Sequence, residues 1–119
     1  MTDPDAVIHQ PVRLRILMLL SGVESADFNF LMTALGLSKG NLSTHASRLE
    51  EAGYVRIEKG FQGKIPHTSY ALTELGRVRL GEYWEALEEI RGMGGAASRR
   101  EGGLEARPTR IGAEAYTSA

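Results

Sequence analysis

The stretch from Leu35 to Val55 restricts the fold more than any other part of the chain. It reads as a turn, a capped helix, a glycine stop and a strand. Ser38 is placed to cap the helix, because its hydroxyl can accept from the free N–H groups of the first turn. Leu37 before the cap and Leu42 inside the helix have the spacing of a hydrophobic staple. Leu42, Ala46 and Leu49 recur at helical spacing and define an inward stripe, and Gly53 supplies a left-handed stop. Gly36-Leu37-Ser38 leaves only a short turn after the preceding helix, the connection of a helix-turn-helix unit.

With Leu42 inward and about 100° per residue, Thr44, Ser47 and Glu51 point outward, flanked by Gly40, Asn41, Ser43 and Arg48. A helix held to a core on one side, with small polar groups and a guanidinium on the other, suits a duplex groove. Asn41 is fitted to adenine through two hydrogen bonds, and Ser43, Thr44 and Ser47 to base edges or phosphates. Lys39 and Arg48 would neutralise phosphates, with the free N–H groups of the helix start beside them. Gly40 costs about 1 kcal/mol against alanine in a helix, which is understandable where close approach matters. A merely solvated face usually carries long charged side chains, and this one carries Ser and Thr. His45 lies near the inward stripe; phosphate contact and packing at the domain edge both stay open, the second being the more common for such a residue.

The first helix is expected to start near Pro4 or Pro11 and to end at Gly22, with Val12, Ile16, Leu19 and Leu20 on one stripe and Leu14 and Met18 on another. Asp27-Phe28-Asn29 gives a very short strand or a helix entry. A second helix runs over about 30–35, with Leu31, Ala34 and Leu35 facing the core. Tyr54 to Lys59 alternates as a half-buried strand. Gly60 to His67, with its glycines and proline, reads as a loop, and Thr68 to Leu72 as the returning strand. The resulting hairpin offers Lys59, Gln62, Lys64, His67 and Thr68 to the backbone or the minor groove, with Arg56 on its polar side. Thr73 caps a last helix over 73–91, in which Gly76, Leu80, Tyr83, Leu87 and Ile90 form a heptad-like seam widened by Trp84. With Leu14 and Met18 this seam is the expected homodimer interface; packing of the same residues within one chain is the alternative. Residues 1–91 thus form the expected domain. From Gly92 to Ala119 the apolar period is lost among glycines and arginines, and a flexible tail is expected.

The 119 residues allow one domain. The net charge of −1 does not by itself indicate a nucleic-acid partner. Its distribution is more informative: Lys39, Arg48, Arg56, Lys59, Lys64 and Arg77 outnumber Glu50, Glu51, Glu58 and Glu74, while the following helix carries Glu82, Glu85, Glu88 and Glu89. Cysteine is absent, so there is no disulfide framework or thiolate metal site. Nothing approaches a membrane-spanning apolar run and the opening residues are polar and acidic, so a cytoplasmic location is expected.

Several segments resemble the small MarR/ArsR-type winged-helix transcriptional regulators. They are Pro11-Val12-Arg13-Leu14-Arg15-Ile16-Leu17, Asp27-Phe28-Asn29-Phe30-Leu31, Gly40-Asn41-Leu42-Ser43, Leu49-Glu50-Glu51-Ala52-Gly53-Tyr54-Val55, Tyr70-Ala71-Leu72-Thr73 and Gly76-Arg77. The resemblance covers about residues 7–90 in collinear order. It implies an α+β winged helix-turn-helix with a three-helix core, a β-hairpin wing and a long C-terminal dimerisation helix. It further implies a homodimer on a pseudo-palindromic operator in double-stranded DNA, with helix 38–52 in the major groove. The family often has an Arg-rich wing, whereas Ile65-Pro66-His67 stands here, so a modest wing contribution is expected. Metal-sensing members use Cys, or His with carboxylates; without Cys, and with His9, His45 and His67 on different elements, no metal or other cofactor is expected. A small-molecule effector is left open.

Two other readings compete. A winged helix can serve protein–protein contact without DNA specificity, which an acidic or apolar outer face would favour over the polar one present. An enzyme is not expected: Ser43 and His45 diverge on one helix, as do Glu50 and Glu51, and neither a phosphate-loop glycine pattern nor a His-x-x-x-His pair occurs.

Overall fold

The computed structural model describes residues 3–94. The order is α1 (Pro11–Leu20), β1 (Ala26–Asp27), α2 (Phe28–Leu35), α3 (Lys39–Glu51), β2 (Val55–Gln62), β3 (Ile65–Leu72) and α4 (Glu74–Gly94). The three strands form one antiparallel sheet in the order β1-β3-β2.

Local chemistry sets most boundaries. The Gln10 side chain accepts from the Arg13 N–H (2.7 Å) and Pro11 opens α1. Asp27 both ends β1 and caps α2, accepting from Phe30 N–H at 2.7 Å, so the strand and the helix entry coexist there. Gly36, at φ 65°, closes α2. Ser38 caps α3 through Asn41 N–H at 3.1 Å. The far end of α3 is a Schellman stop: Gly53 N–H donates to Glu50 O and Tyr54 N–H to Leu49 O, both at 2.9 Å, with Gly53 at φ 85°.

The core is built from α1, α2, α3, the sheet and the first half of α4. Ile16, Leu17, Leu20, Leu31, Leu42 and Leu49 are fully buried, and Ile8 joins them from the segment before α1. Ala34, expected to face the core, is exposed: α2 is short, and its inward side is supplied by buried Leu31 and Leu35 with Phe28 and Met32 packed partly buried beside them. Leu14 and Met18 are half-buried against the protomer's own core. Arg15 ties α1 to α2 by donating to the Leu35 carbonyl at 2.7 Å, which satisfies a helix-end acceptor.

Three expectations are corrected. The segment 60–67 is not a loop, because the strands run through it to a two-residue turn at Gly63-Lys64. Gly63 has φ 65° and Lys64 does not have positive φ, which suits a II′-type hairpin. Pro66 is tolerated because β1 pairs only with Ser69 and Tyr70, leaving β3 an edge at that level. Second, Leu80 and Tyr83 are buried in their own chain, so α4 begins as a core element and not as an exposed seam. Tyr83 lies within hydrogen-bond distance of His9 Nδ1 (2.9 Å), which fixes the side chain inward. Third, α4 continues through Gly92 to Gly94, a little under one further turn, so the first glycine is too weak a breaker to end it. The rest of the expected tail lies outside the described residues.

Tyr54 fastens the N-terminal segment to the end of α3. Its hydroxyl donates to Asp5 Oδ2, while Asp5 Oδ1 accepts from Val7 N–H at 2.8 Å. Burial, then the hydrogen bond and the charge of Asp5, push the Tyr54 phenol up to about 12 from 10.0. Between those values the folded chain holds a proton that the unfolded chain has lost. Stability therefore falls as pH rises from about 10 to about 12, by about 1.4 kcal/mol per unit separating the two pKa values. Tyr54→Phe is expected to make that alkaline decline shallower in urea melts between pH 8 and 12. Tyr70 and Tyr83, raised in the same direction by burial, contribute to the decline in the same sense. An equally steep decline in the variant would place the ionisation elsewhere.

Candidate nucleic-acid interface

The outer side of α3 carries the candidate site. Lys39, Gly40 and Asn41 occupy its exposed first turn, and Ser43, Thr44, Ser47 and Arg48 are exposed further along. No other element covers them, whereas Leu42, Ala46 and Leu49 are buried on the opposite side. Gly40 has open space where a Cβ would stand, so packing within the protomer does not require glycine there.

The two flanks of α3 differ. One faces the sheet across an open groove of about 540 Å³, bounded by Ser43, Ser47 and Glu50 on the helix and by Lys59, Thr68 and Tyr70 on the strands. Lys59 stands opposite Thr68 in the β2–β3 register, which brings both beside α3. Burial, and then the Glu50 carboxylate, raise the Tyr70 phenol. The other flank faces α1, where Arg13 Nη1 lies 3.3 Å from His45 Nδ1. Burial and Arg13 lower the His45 imidazole, and burial and Arg48 lower the Arg13 guanidinium. His45 thus packs half-buried at the α1–α3 edge, the more common of its two expected placements. Arg48 keeps only a loose contact with Glu51 (4.0 Å), both side chains being largely exposed.

The wing is less uniform than the sequence suggests. Gln62 and Lys64 stand exposed at the tip. His67 is drawn back: its Nε2 lies 3.7 Å from Asp27 Oδ2 and the side chain is only 30% exposed. Arg56 pairs with Glu58 at 3.4 Å. The tip also bears Phe61 and Ile65, 71% and 70% exposed. Reading this segment as a loop concealed that its apolar residues are held out on strands.

A short helix-turn-helix presenting its second helix, followed by a two-stranded wing, defines the winged-helix class of domain. Residues 12–91 match the family model described as a winged helix DNA-binding domain. The chain belongs to this family. It is 38% identical over 78 residues to an uncharacterized protein, MJ0432, of Methanocaldococcus jannaschii, a match covering 65% of this chain and 84% of that protein. A transcriptional regulator homologue from Pyrococcus horikoshii OT3 superposes with a TM-score of 0.68 at 29% identity, over 74% of this chain and 88% of the other. A MarR-family regulator from Enterococcus faecalis V583 shares the fold, with a TM-score of 0.61 at 21% identity over 82% and 84% of the two chains. The winged-helix kinship expected from the motifs holds. Among the described residues no helix is long and apolar enough to cross a membrane.

Proposed function

We propose that the protein is a sequence-specific transcription regulator of the cytoplasm, a homodimer without enzymatic activity that binds double-stranded DNA at a pseudo-palindromic operator. In this reading α3 enters the major groove of each half-site and the wing lies beside it. One observation carries it: Asn41, Thr44, Ser47 and Arg48 are all exposed on a helix whose other side is anchored in the core. Membership of a DNA-binding domain family supports it.

The end of α4 supports the homodimer. Beyond Ala86 none of its described residues is buried, and Trp84, Ile90 and Met93 are 39%, 44% and 72% exposed. With half-buried Leu87 they leave an apolar face that a second copy of the helix would cover. Leu80 and Tyr83 then serve by holding α4 to the domain, with Trp84 edge-on to Tyr83 at 5.3 Å between ring centroids.

The test is a titration of the full chain into duplexes carrying its own upstream DNA and into random duplex, at several salt concentrations. Selective, salt-steep binding is expected; equal affinity for both would remove the claim of specificity. Asn41→Ala is expected to relax choice at one base step, at a cost of about 1–3 kcal/mol on the preferred site. Gly40→Ala separates folding from function: its Cβ meets nothing in the protomer, so it is expected to stabilise the protein by up to about 1 kcal/mol through helix propensity, while weakening operator binding by holding the first turn of α3 off the duplex. Unchanged affinity in both variants would mean that α3 is not the reader.

A further inference from the structure

The α1-facing flank of α3 holds two guanidinium cations beside an imidazole, a group whose chemistry the fold does not complete. Asn41, His45 and Arg48 follow one another at helical spacing on that flank, and Arg13 reaches them from α1, its Nη1 3.3 Å from His45 Nδ1. Arg13 Nε donates to the Val7 carbonyl, so the guanidinium is held in place and does not sweep through solvent. Among the described residues no carboxylate lies within 4.0 Å of Arg13, and Arg48 has only the loose contact with Glu51. Burial works against the charge on both Arg13 and His45, joined by the Arg48 charge acting on Arg13 and the Arg13 charge acting on His45. The like charges facing each other here are Arg13 and Arg48, with His45 held toward its neutral form, and their repulsion is unfavourable for folding unless an anion arrives. The opposite flank, by contrast, offers neutral Ser43 and Ser47 with Glu50.

We infer that Arg13, His45 and Arg48 form a seat for a phosphodiester oxygen of the duplex, on the groove edge away from the wing. This rests on the reading of α3 as the groove helix, and adds α1 as a DNA-contacting element. Two guanidinium forks from different helices converge on one oxyanion in a way that a single helix cannot provide. His45, accepting from Arg13 through Nδ1, presents Nε2–H outward as a further donor. The contact carries no base information; it fixes how far α3 turns about its own axis in the groove, because Arg13 belongs to the core and not to the reading helix.

The experiment compares wild type, Arg13→Gln, Arg13→Lys and His45→Glu, as full chains, against the preferred duplex and random duplex over a salt series, with thermal unfolding in parallel. Arg13→Gln is expected to weaken binding to both duplexes by about fivefold to tenfold and to reduce the slope of log affinity against log salt by about one. Arg13→Lys restores the slope. His45→Glu places a carboxylate in the seat, so it raises the unfolding temperature by pairing with Arg13 and lowers affinity for every duplex. Inorganic phosphate at millimolar concentration is expected to leave the wild-type and Arg13→Gln unfolding temperatures equally shifted, because the seat needs the polymer; a shift confined to wild type would assign a free-phosphate site instead and overturn the duplex seat. An unchanged salt slope in Arg13→Gln, with or without lost stability, also overturns it, leaving Arg13 as a tie to the Val7 carbonyl. Selective wild-type binding with unaltered Arg13→Gln would defeat the seat while sparing α3 as the reader; wild type without duplex affinity would remove both.

Discussion

Gly76→Ala is expected to unfold the domain at temperatures where the wild type is stable. A Cβ at Gly76 would stand 2.2 Å from the Tyr54 carbonyl oxygen and 2.8 Å from Leu72 Cδ1. The leucine can turn away, but the carbonyl cannot. It accepts from Thr73 N–H at 3.0 Å, and Thr73 Oγ1 donates to the Gly53 carbonyl at 2.6 Å while accepting from Gly76 N–H at 2.9 Å. The end of α3, the start of β2 and the first turn of α4 therefore close on one point, and relief means lifting α4 from it. Overpacking a core usually costs about 1–3 kcal/mol; a clash with fixed backbone is expected at or above the top of that range. For a domain of this size each kcal/mol moves the midpoint by about 4–8 °C, so the Tm should fall by at least about 12 °C. Gly81→Ala is the control. It lies in the same helix with open space at the Cβ position, and should stabilise by about 0.5–1 kcal/mol. Similar responses from the two glycines would mean that α4 does not start against Tyr54.

Gly76 also marks where the sequence stops being legible. Its place in a heptad-like seam with Leu80, Tyr83, Leu87 and Ile90 is real, but a helical seam does not say which surface it meets. The contacts show a division: Gly76, Leu80 and Tyr83 turn into the protomer, while Ile90 remains exposed. The α3 unit was readable in full because its determinants are local. Ser38, the Leu37–Leu42 staple and Gly53 act within a few residues of the bonds they make. The hairpin was not, since whether Gly60 and Pro66 break a strand depends on which neighbours pair with it, and here the strand edge tolerates both. The same rule divides the candidate site. Angles along one helix brought Asn41, Thr44, Ser47 and Arg48 to one face, and that face is open. Arg13 stands 32 residues from His45, and nothing in the spacing of either announces their contact. Asp27 likewise reads as a helix cap in sequence, and only the β1–β3 pairing reveals that it also draws His67 away from the wing surface.

Leu42→Ala is expected to have the other large effect, and to show that anchoring and reading are separate properties of α3. Leu42 is fully buried, one residue from Asn41 and two from Thr44, on a helix that packs against α1, α2 and β2. Removing its side chain deletes the inner half of the staple with half-buried Leu37 and leaves a void beneath the first turn. Such truncations cost about 2–5 kcal/mol, depending on how far the site collapses. Urea or thermal melts should record that loss, about 10 °C or more in Tm. Thr44→Ala removes an exposed hydroxyl and should change stability by no more than about 0.5 kcal/mol. Binding measured well below both midpoints should show a different pattern. Thr44→Ala alters discrimination between duplexes with its fold intact, while Leu42→Ala weakens binding to all of them, because the reading face is no longer held at a fixed angle to the core. If Leu42→Ala lost stability yet kept wild-type affinity and selectivity while folded, the face would be aligned by the duplex and not by the leucines beneath it. If Thr44→Ala lost stability to the same extent, its hydroxyl would be serving the fold, and the outer side of α3 would not be free to enter a groove.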